Sequence, residues 1–122
     1  MGNPVVHFEV RAKDPKKAQQ FYAQLFQWRV DANNPMGYGM VDKGAEHGIA
    51  GGIGGTPTGT SKVTFYVEVP DLQSTLDKAQ KLGGKVISPP MDVPGGPTMA
   101  TFADPEGNEI GLVKAASGSS QR

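Results

Sequence analysis

The residues able to do chemistry are few, and they alternate with apolar ones. His7, Glu9 and Arg11 interleave with Val6, Phe8 and Val10. A strand there puts the polar three on one face and the apolar three on the other. His7 offers an imidazole that can hydrogen-bond a ligand or move a proton near neutral pH. A residue held in a polar interior by Glu9, Tyr66 or Thr64 is the other reading. Glu9 is a candidate base, or the partner of Arg11 in an ion-pair network with Glu68. Thr64, Tyr66 and Glu68 repeat the alternation against Val63, Phe65, Val67 and Val69. The chain has no cysteine, which removes thiolate catalysis, disulfides and cysteine-based metal sites. His47 stands in the polar stretch 43–48 and reads as a solvated turn residue. The glycine-rich runs 50–55 and 94–97 lack the GxxxxGK[ST] spacing of a phosphate loop, and there is no GxSxG. Glycine within a strand permits close approach or sharp curvature instead.

The elements that must position these groups are written twice. A strand over 5–11 leads to Asp14-Pro15, an N-cap followed by proline at the first helical position. Ala18, Phe21, Tyr22, Leu25 and Phe26 then form an apolar stripe at helical spacing. Short strands over 28–32 and 38–41 flank a turn at Asn33-Asn34-Pro35, and 48–54 is a fourth, glycine-rich strand. The second half opens with a strand over 62–69. Asp71 caps a helix carried by Leu72, Leu76, Ala79 and Leu82, which Gly83-Gly84 ends. Strands over 85–88, 98–103 and 108–113 follow, and the small, polar tail 115–122 is expected to be disordered. An offset of 57 (Val6 to Val63) aligns the halves and pairs Val6 with Val63, Phe8 with Phe65, Val10 with Val67 and Asp14 with Asp71. It also pairs Leu25 with Leu82, Gly39 with Gly96, Ile53 with Ile110 and Gly54 with Gly111. The apolar faces (Phe8, Val10, Phe65, Val67, Ile110, Leu112) are expected to bury against the helices, each large side chain contributing roughly 1.5–3 kcal/mol. The opposite faces would line a concave space suited to binding.

The chain has 122 residues, one domain's length, and folding at that size buries roughly 65–70% of the unfolded surface. Twelve basic and twelve acidic residues cancel and the pI is near 6.7, so nothing favours nucleic acid or an anionic membrane as partner. No apolar stretch approaches the ~18 residues of a membrane span, and the N-terminus lacks the apolar run of a signal peptide. A soluble cytoplasmic protein is expected.

Three groups of residues carry a family resemblance. The first is His7-Phe8-Glu9-Val10, Asp14-Pro15, Phe21-Tyr22, Leu25-Phe26 and Trp28. The second is Tyr66-Val67-Glu68-Val69 with Leu82-Gly83-Gly84-Lys85-Val86. The third is Phe102-Ala103-Asp104-Pro105-Glu106-Gly107-Asn108 with Ile110-Gly111-Leu112. Together they resemble the vicinal oxygen chelate superfamily of glyoxalases, bleomycin-resistance proteins and extradiol dioxygenases. The resemblance implies an α+β fold of two βαβββ units with curved mixed sheets, about 4–55 and 61–114, within a glyoxalase-like domain 1–114. Metal-dependent relatives place one ligand on the first and last strand of each unit, and here those positions fall at His7, Gly54, Thr64 and Gly111. Only His7 binds a divalent ion well, whereas catalytic zinc takes three protein ligands. The implied function is therefore binding of a small, partly apolar organic molecule without metal or other cofactor, as in bleomycin-resistance-type sequestration. The implied ligand-binding residues are His7, Glu9, Trp28, Tyr38, Met40, Thr64, Tyr66, Glu68 and Phe102, with Met36 and Met99 nearby. An enzyme of the lyase, isomerase or dioxygenase type stays open. It would use a relocated metal site in which Glu9, Glu68 and Glu109 join His7, or metal-free acid/base work by His7 or Glu9. An accessory module with a filled cavity is a third reading. The resemblance also implies a homodimer.

Overall fold

The computed structural model describes residues 2–93 and 96–115. The expected disordered tail lies outside the described residues beyond Ala115, as do Pro94 and Gly95 of the 94–97 run. The fold is α+β, and the chain divides into two compact units, residues 6–64 and residues 65–122 with the first five residues.

The first unit is built from β1 (Val5–Ala12), α1 (Pro15–Phe26), β2 (Val30–Asp31), β3 (Gly39–Val41) and β4 (Gly51–Gly55). β4 pairs parallel with β1 and antiparallel with β3, which pairs with β2. Asp14 caps α1 by accepting the Lys17 N–H at 3.1 Å, and Pro15 opens the helix. β2 is shorter than the strand expected over 28–32, and β4 starts later than expected.

The plan repeats with β5 (Lys62–Val69), whose first three residues fall in the first unit, then α2 (Leu72–Lys81), β6 (Lys85–Asp92), β7 (Thr98–Ala103) and β8 (Glu109–Lys114) in the second. β8 pairs parallel with β5 and antiparallel with β7, which pairs with β6. The two units thus share element order, strand order and pairing sense. Asp71 caps α2 through the Ser74 N–H at 3.1 Å, as Asp14 caps α1. Gly83, at φ 100°, turns the chain out of the helix. Asp104 builds the turn before β8. Its Oδ1 accepts the Glu106 and Asn108 N–H groups, its Oδ2 accepts the Asn108 amide, and Gly107 adopts φ 91°. Those bonds, the Asn108 amide foremost, hold the Asp104 carboxyl below its ordinary pKa.

The core of the second unit is Val69, Leu72, Leu76, Ala100 and Leu112, with Val67, Val86 and Phe102 packed against it. This matches the expected burial of Val67 and Leu112 against α2. Val63 and Phe65 depart from it, at 72% and 41% exposed. The ladder with β8 starts at Tyr66, so these two residues lie beyond the strand that would frame them.

The first unit departs further. The stripe expected to bury α1 is turned outward, with Phe21, Leu25 and Phe26 each more than half exposed. The buried residue of α1 is Gln19. Its amide donates to the carbonyls of Ile53 (2.8 Å) and Gly37 (3.1 Å). A Cβ on Gly39 would come within 2.8 Å of that amide and of Val30, so the glycine opens the space Gln19 fills. Tyr22 and Phe26 instead join Trp28 and Phe8 in a ring cluster with centroids 5.1–6.2 Å apart.

Candidate functional site

The β1–β4 register sets Phe8 opposite Gly51, Glu9 opposite Gly52 and Arg11 opposite Gly54. Cross-strand partners point to the same side, so the two faces of β4 can be assigned. A side chain at Gly51 would run into the Phe8 ring, on the side that carries α1 and Trp28. Side chains at Gly52 and Gly54 would run into Tyr38, on the helix-free side. At Gly54 a Cβ would stand 2.6 Å from Tyr38 Cδ1. The tyrosine ring therefore lies flat along β4, over two glycines.

Its hydroxyl ends between His7 and Glu9. Tyr38 donates to Glu9 Oε2 at 3.0 Å. The hydroxyl has one proton, so His7 Nε2, also at 3.0 Å, is the donor to it. Arg11 Nε donates to Glu9 Oε1 at 2.9 Å, and its Nη1 donates to the Gly55 carbonyl. Glu9 is 5% exposed, and two of its partners are the Arg11 guanidinium and the Tyr38 hydroxyl, the pairing a buried carboxylate requires. His7, Glu9, Arg11, Tyr38 and Met40 (opposite Gly52 through β3) thus share one face.

Burial lowers the His7 pKa below its ordinary 6.5, and the Glu9 carboxylate opposes that without reversing it. The unfolded chain therefore binds the proton more readily than the folded one. Between the folded value and 6.5, stability rises with pH; the contribution is complete above 6.5 and is lost as pH falls through that window. The thermal midpoint is expected to be higher at about pH 7.5 than at about pH 5, with a smaller difference in His7→Gln. Melting curves of both proteins check this, and an unchanged difference contradicts it.

In the second unit Tyr66 lies opposite Gly111. A side chain at Gly111 would overlap the Tyr66 ring, which is 4% exposed. By register, Glu68, Glu109, Thr101 and Met99 share that helix-free face. Phe102 faces the opposite way, into the core beside Leu112 and Ala100. Trp28 likewise sits on the helix side, among Phe8, Tyr22 and Phe26. The expected cavity walls Trp28 and Phe102 are therefore packing residues on the side away from His7 and Tyr66 respectively. Thr64 falls in the first unit and Tyr66 and Glu68 in the second, so the nine expected residues divide between two bodies. Met36 and His47 are exposed. Gln19, which holds the carbonyls beneath Tyr38, escaped the sequence reading because it interrupts an apolar stripe.

Comparison with known proteins fits this architecture. The description Glyoxalase/Bleomycin resistance protein/Dioxygenase superfamily matches residues 5–112, and the chain belongs to that family. A protein of Mycobacterium bovis named "Putative glyoxylase CFP32" is 31% identical over an alignment 114 residues long that covers 88% of this chain and 44% of that one. The chain thus spans less than half the length of this curated relative. Hypothetical protein BH1468 of Bacillus halodurans has a similar structure, with TM-score 0.69, 14% identity, and coverage of 96% of this chain and 97% of that one. The Mn(II)-bound glyoxalase of Novosphingobium aromaticivorans has TM-score 0.61 and 18% identity, covering 92% of this chain and 38% of that one.

Because one structure of similar fold is an Mn(II)-bound glyoxalase, the fit of such an ion to these residues is a direct question. Of the four family ligand positions, His7 gives an imidazole and Thr64 a hydroxyl, while Gly54 and Gly111 give nothing. The space beside each glycine holds a tyrosine ring. Among the described residues no three of His, Cys, Asp and Glu gather where they could hold an ion. The relocated set divides between the two units, with His7 and Glu9 in the first and Glu68 and Glu109 in the second. The residues present do not fit the family's metal.

Proposed function

We propose that this protein binds a compact, partly apolar organic molecule through its helix-free sheet faces, without a metal, in the manner of sequestration proteins of its superfamily. The observation that carries this reading is the Tyr38 ring lying over Gly52 and Gly54 with its hydroxyl bonded to His7 and Glu9. Where a metal-dependent member projects an acidic ligand, this chain presents a flat aromatic surface ending in a polar cluster. Aromatic area with a few fixed polar groups suits an organic ligand. Met40, 48% exposed on the same face, adds an adaptable apolar contact. His7, Glu9, Tyr38, Met40, Thr64, Tyr66 and Glu68 are the proposed binding residues, within a domain of residues 1–114. A cytoplasmic homodimer is part of the proposal. Among the described residues no helix is long and apolar enough to cross a membrane.

A second reading, metal-free acid/base catalysis, is favoured by one observation. A hydroxyl bonded at 3.0 Å to both an imidazole and a carboxylate can pass a proton between them. In that case His7 and Glu9 are the catalytic candidates.

The test is binding of aromatic carbonyl and carboxylate fragments to chelator-treated protein. Binding should survive the chelator, and Tyr38→Phe should weaken it roughly tenfold through loss of the bridging hydroxyl. Turnover that His7→Ala abolishes would favour the catalytic reading. Binding that requires a divalent ion would overturn the proposal.

A further inference from the structure

The two helices of the repeat differ in what they show to solvent. On α1, Phe21, Leu25 and Phe26 are each more than half exposed. The 57-residue offset (Phe21 to Lys78) puts Lys78 of α2 at the place of Phe21 and Lys81 at that of Gln24. Leu82, at the place of Leu25, is also exposed, but it stands singly one turn after Lys78. α2 thus has an ordinary solvated face, and α1 has an apolar row. Phe21 and Leu25 follow Lys17 at intervals of four and form one ridge, the element that interdigitates when helices pack. With Phe26 they hold roughly 300 Å² of apolar surface in water, a size that marks interaction surfaces. Lys16, Gln20 and Gln24 are exposed around the row as a polar rim.

Charge indicates what covers it. The cations of α1, Lys16 and Lys17, stand in its first turn, where the helix dipole opposes them, and its last turn has none. α2 instead carries Lys78 and Lys81 in its last turn. The face of α1 is therefore complementary to itself when turned end for end. In an antiparallel pair, the cationic first turn of each helix meets the carbonyl end of the other. Beyond that end lies a groove of about 720 Å³, lined by Phe26, Trp28 and the balanced charges of Arg29, Lys43, Asp42 and Glu46. It gives room for the incoming first turn.

We propose that α1 is a self-association surface, on which two copies of this chain pack their α1 helices antiparallel about a two-fold axis. Phe21, at the middle of the helix, lies nearest the axis, and an isologous contact covers both apolar rows at once. The inference rests on the homodimer reading above and names the face that forms it.

Sedimentation of the full chain over a concentration series tests this. The wild type should reach twice its 12.8 kDa mass. Phe21→Lys, which gives α1 the residue α2 has at the repeat position, should raise the dimer dissociation constant at least roughly tenfold. Leu25→Lys should do the same, and circular dichroism should show both variants folded, since both sites are exposed. Lys16→Glu with Lys17→Glu should weaken the dimer several-fold, whereas Lys78→Glu with Lys81→Glu should leave it unchanged. A wild-type dimer that folded Phe21→Lys and Leu25→Lys leave intact overturns this inference alone. An equal effect of the two lysine pairs also overturns it, because net charge and not this face would then be the cause. A wild type that stays monomeric throughout overturns the homodimer reading together with the interface.

Discussion

Gly111→Ala will cost roughly 1–3 kcal/mol in the wild-type chain and nothing once Tyr66 is also alanine. A Cβ at Gly111 would overlap three atoms of the buried Tyr66 ring. Alanine is otherwise acceptable there, since Gly111 is not among the positive-φ glycines. With the ring removed, the substitution is expected to be neutral or to stabilise by about 0.4–1 kcal/mol, through lower entropy of the unfolded chain. The coupling in a double-mutant cycle should therefore be about 1–3 kcal/mol, read from denaturant melts of the four proteins. Additive effects would mean that the ring is not what the glycine accommodates. Gly111→Glu, which restores an acidic residue at the family position, should be worse than Gly111→Ala. It must expel a large buried ring, a loss of about 3–5 kcal/mol, and should not create a metal site.

Gln19→Leu is the second large effect. Gln19 is the buried residue of α1, and its amide holds the Ile53 carbonyl at 2.8 Å and the Gly37 carbonyl at 3.1 Å. Leucine is similar in size but gives neither bond. Two hydrogen bonds at about 0.5–1.5 kcal/mol each give an expected loss of about 1–3 kcal/mol, more if a carbonyl is left unsatisfied. The change also loosens β4 under Tyr38, so Gln19→Leu should weaken ligand binding without touching the ligand face. A melting temperature equal to that of the wild type would contradict this account of how α1 is held.

These two sites mark the boundary of what local pattern reveals. Alternation in β1 and β5, the Asp14 and Asp71 caps, and the Asp104 to Asn108 turn are read from neighbours a few residues apart. The structure has them as expected. The repeat at an offset of 57 residues, from Gly54 to Gly111, also holds in topology. What escaped is non-local. The apolar stripe of α1 predicts burial of Phe21 and Leu25, yet the fold buries Gln19 because a strand carbonyl 34 residues away needs its amide. The absence of an acid at Gly54 and Gly111 is plain in the sequence. That a ring 16 residues from one glycine, and a ring one strand away from the other, fill those spaces is visible only in three dimensions. Trp28 and Phe102 show the same limit, since aromatic character alone does not choose between the core and the ligand face.

The most direct measurement is a calorimetric titration of chelator-treated protein with Mn(II), Zn(II) and Ni(II), followed by titration of the metal-free protein with an aromatic fragment identified by screening. We expect no saturable uptake of any ion, and fragment binding that Tyr38→Phe weakens. One equivalent of a tightly held ion, released by His7→Ala and required for the fragment to bind, would contradict the claim that tyrosine rings have taken the place of the family's metal ligands.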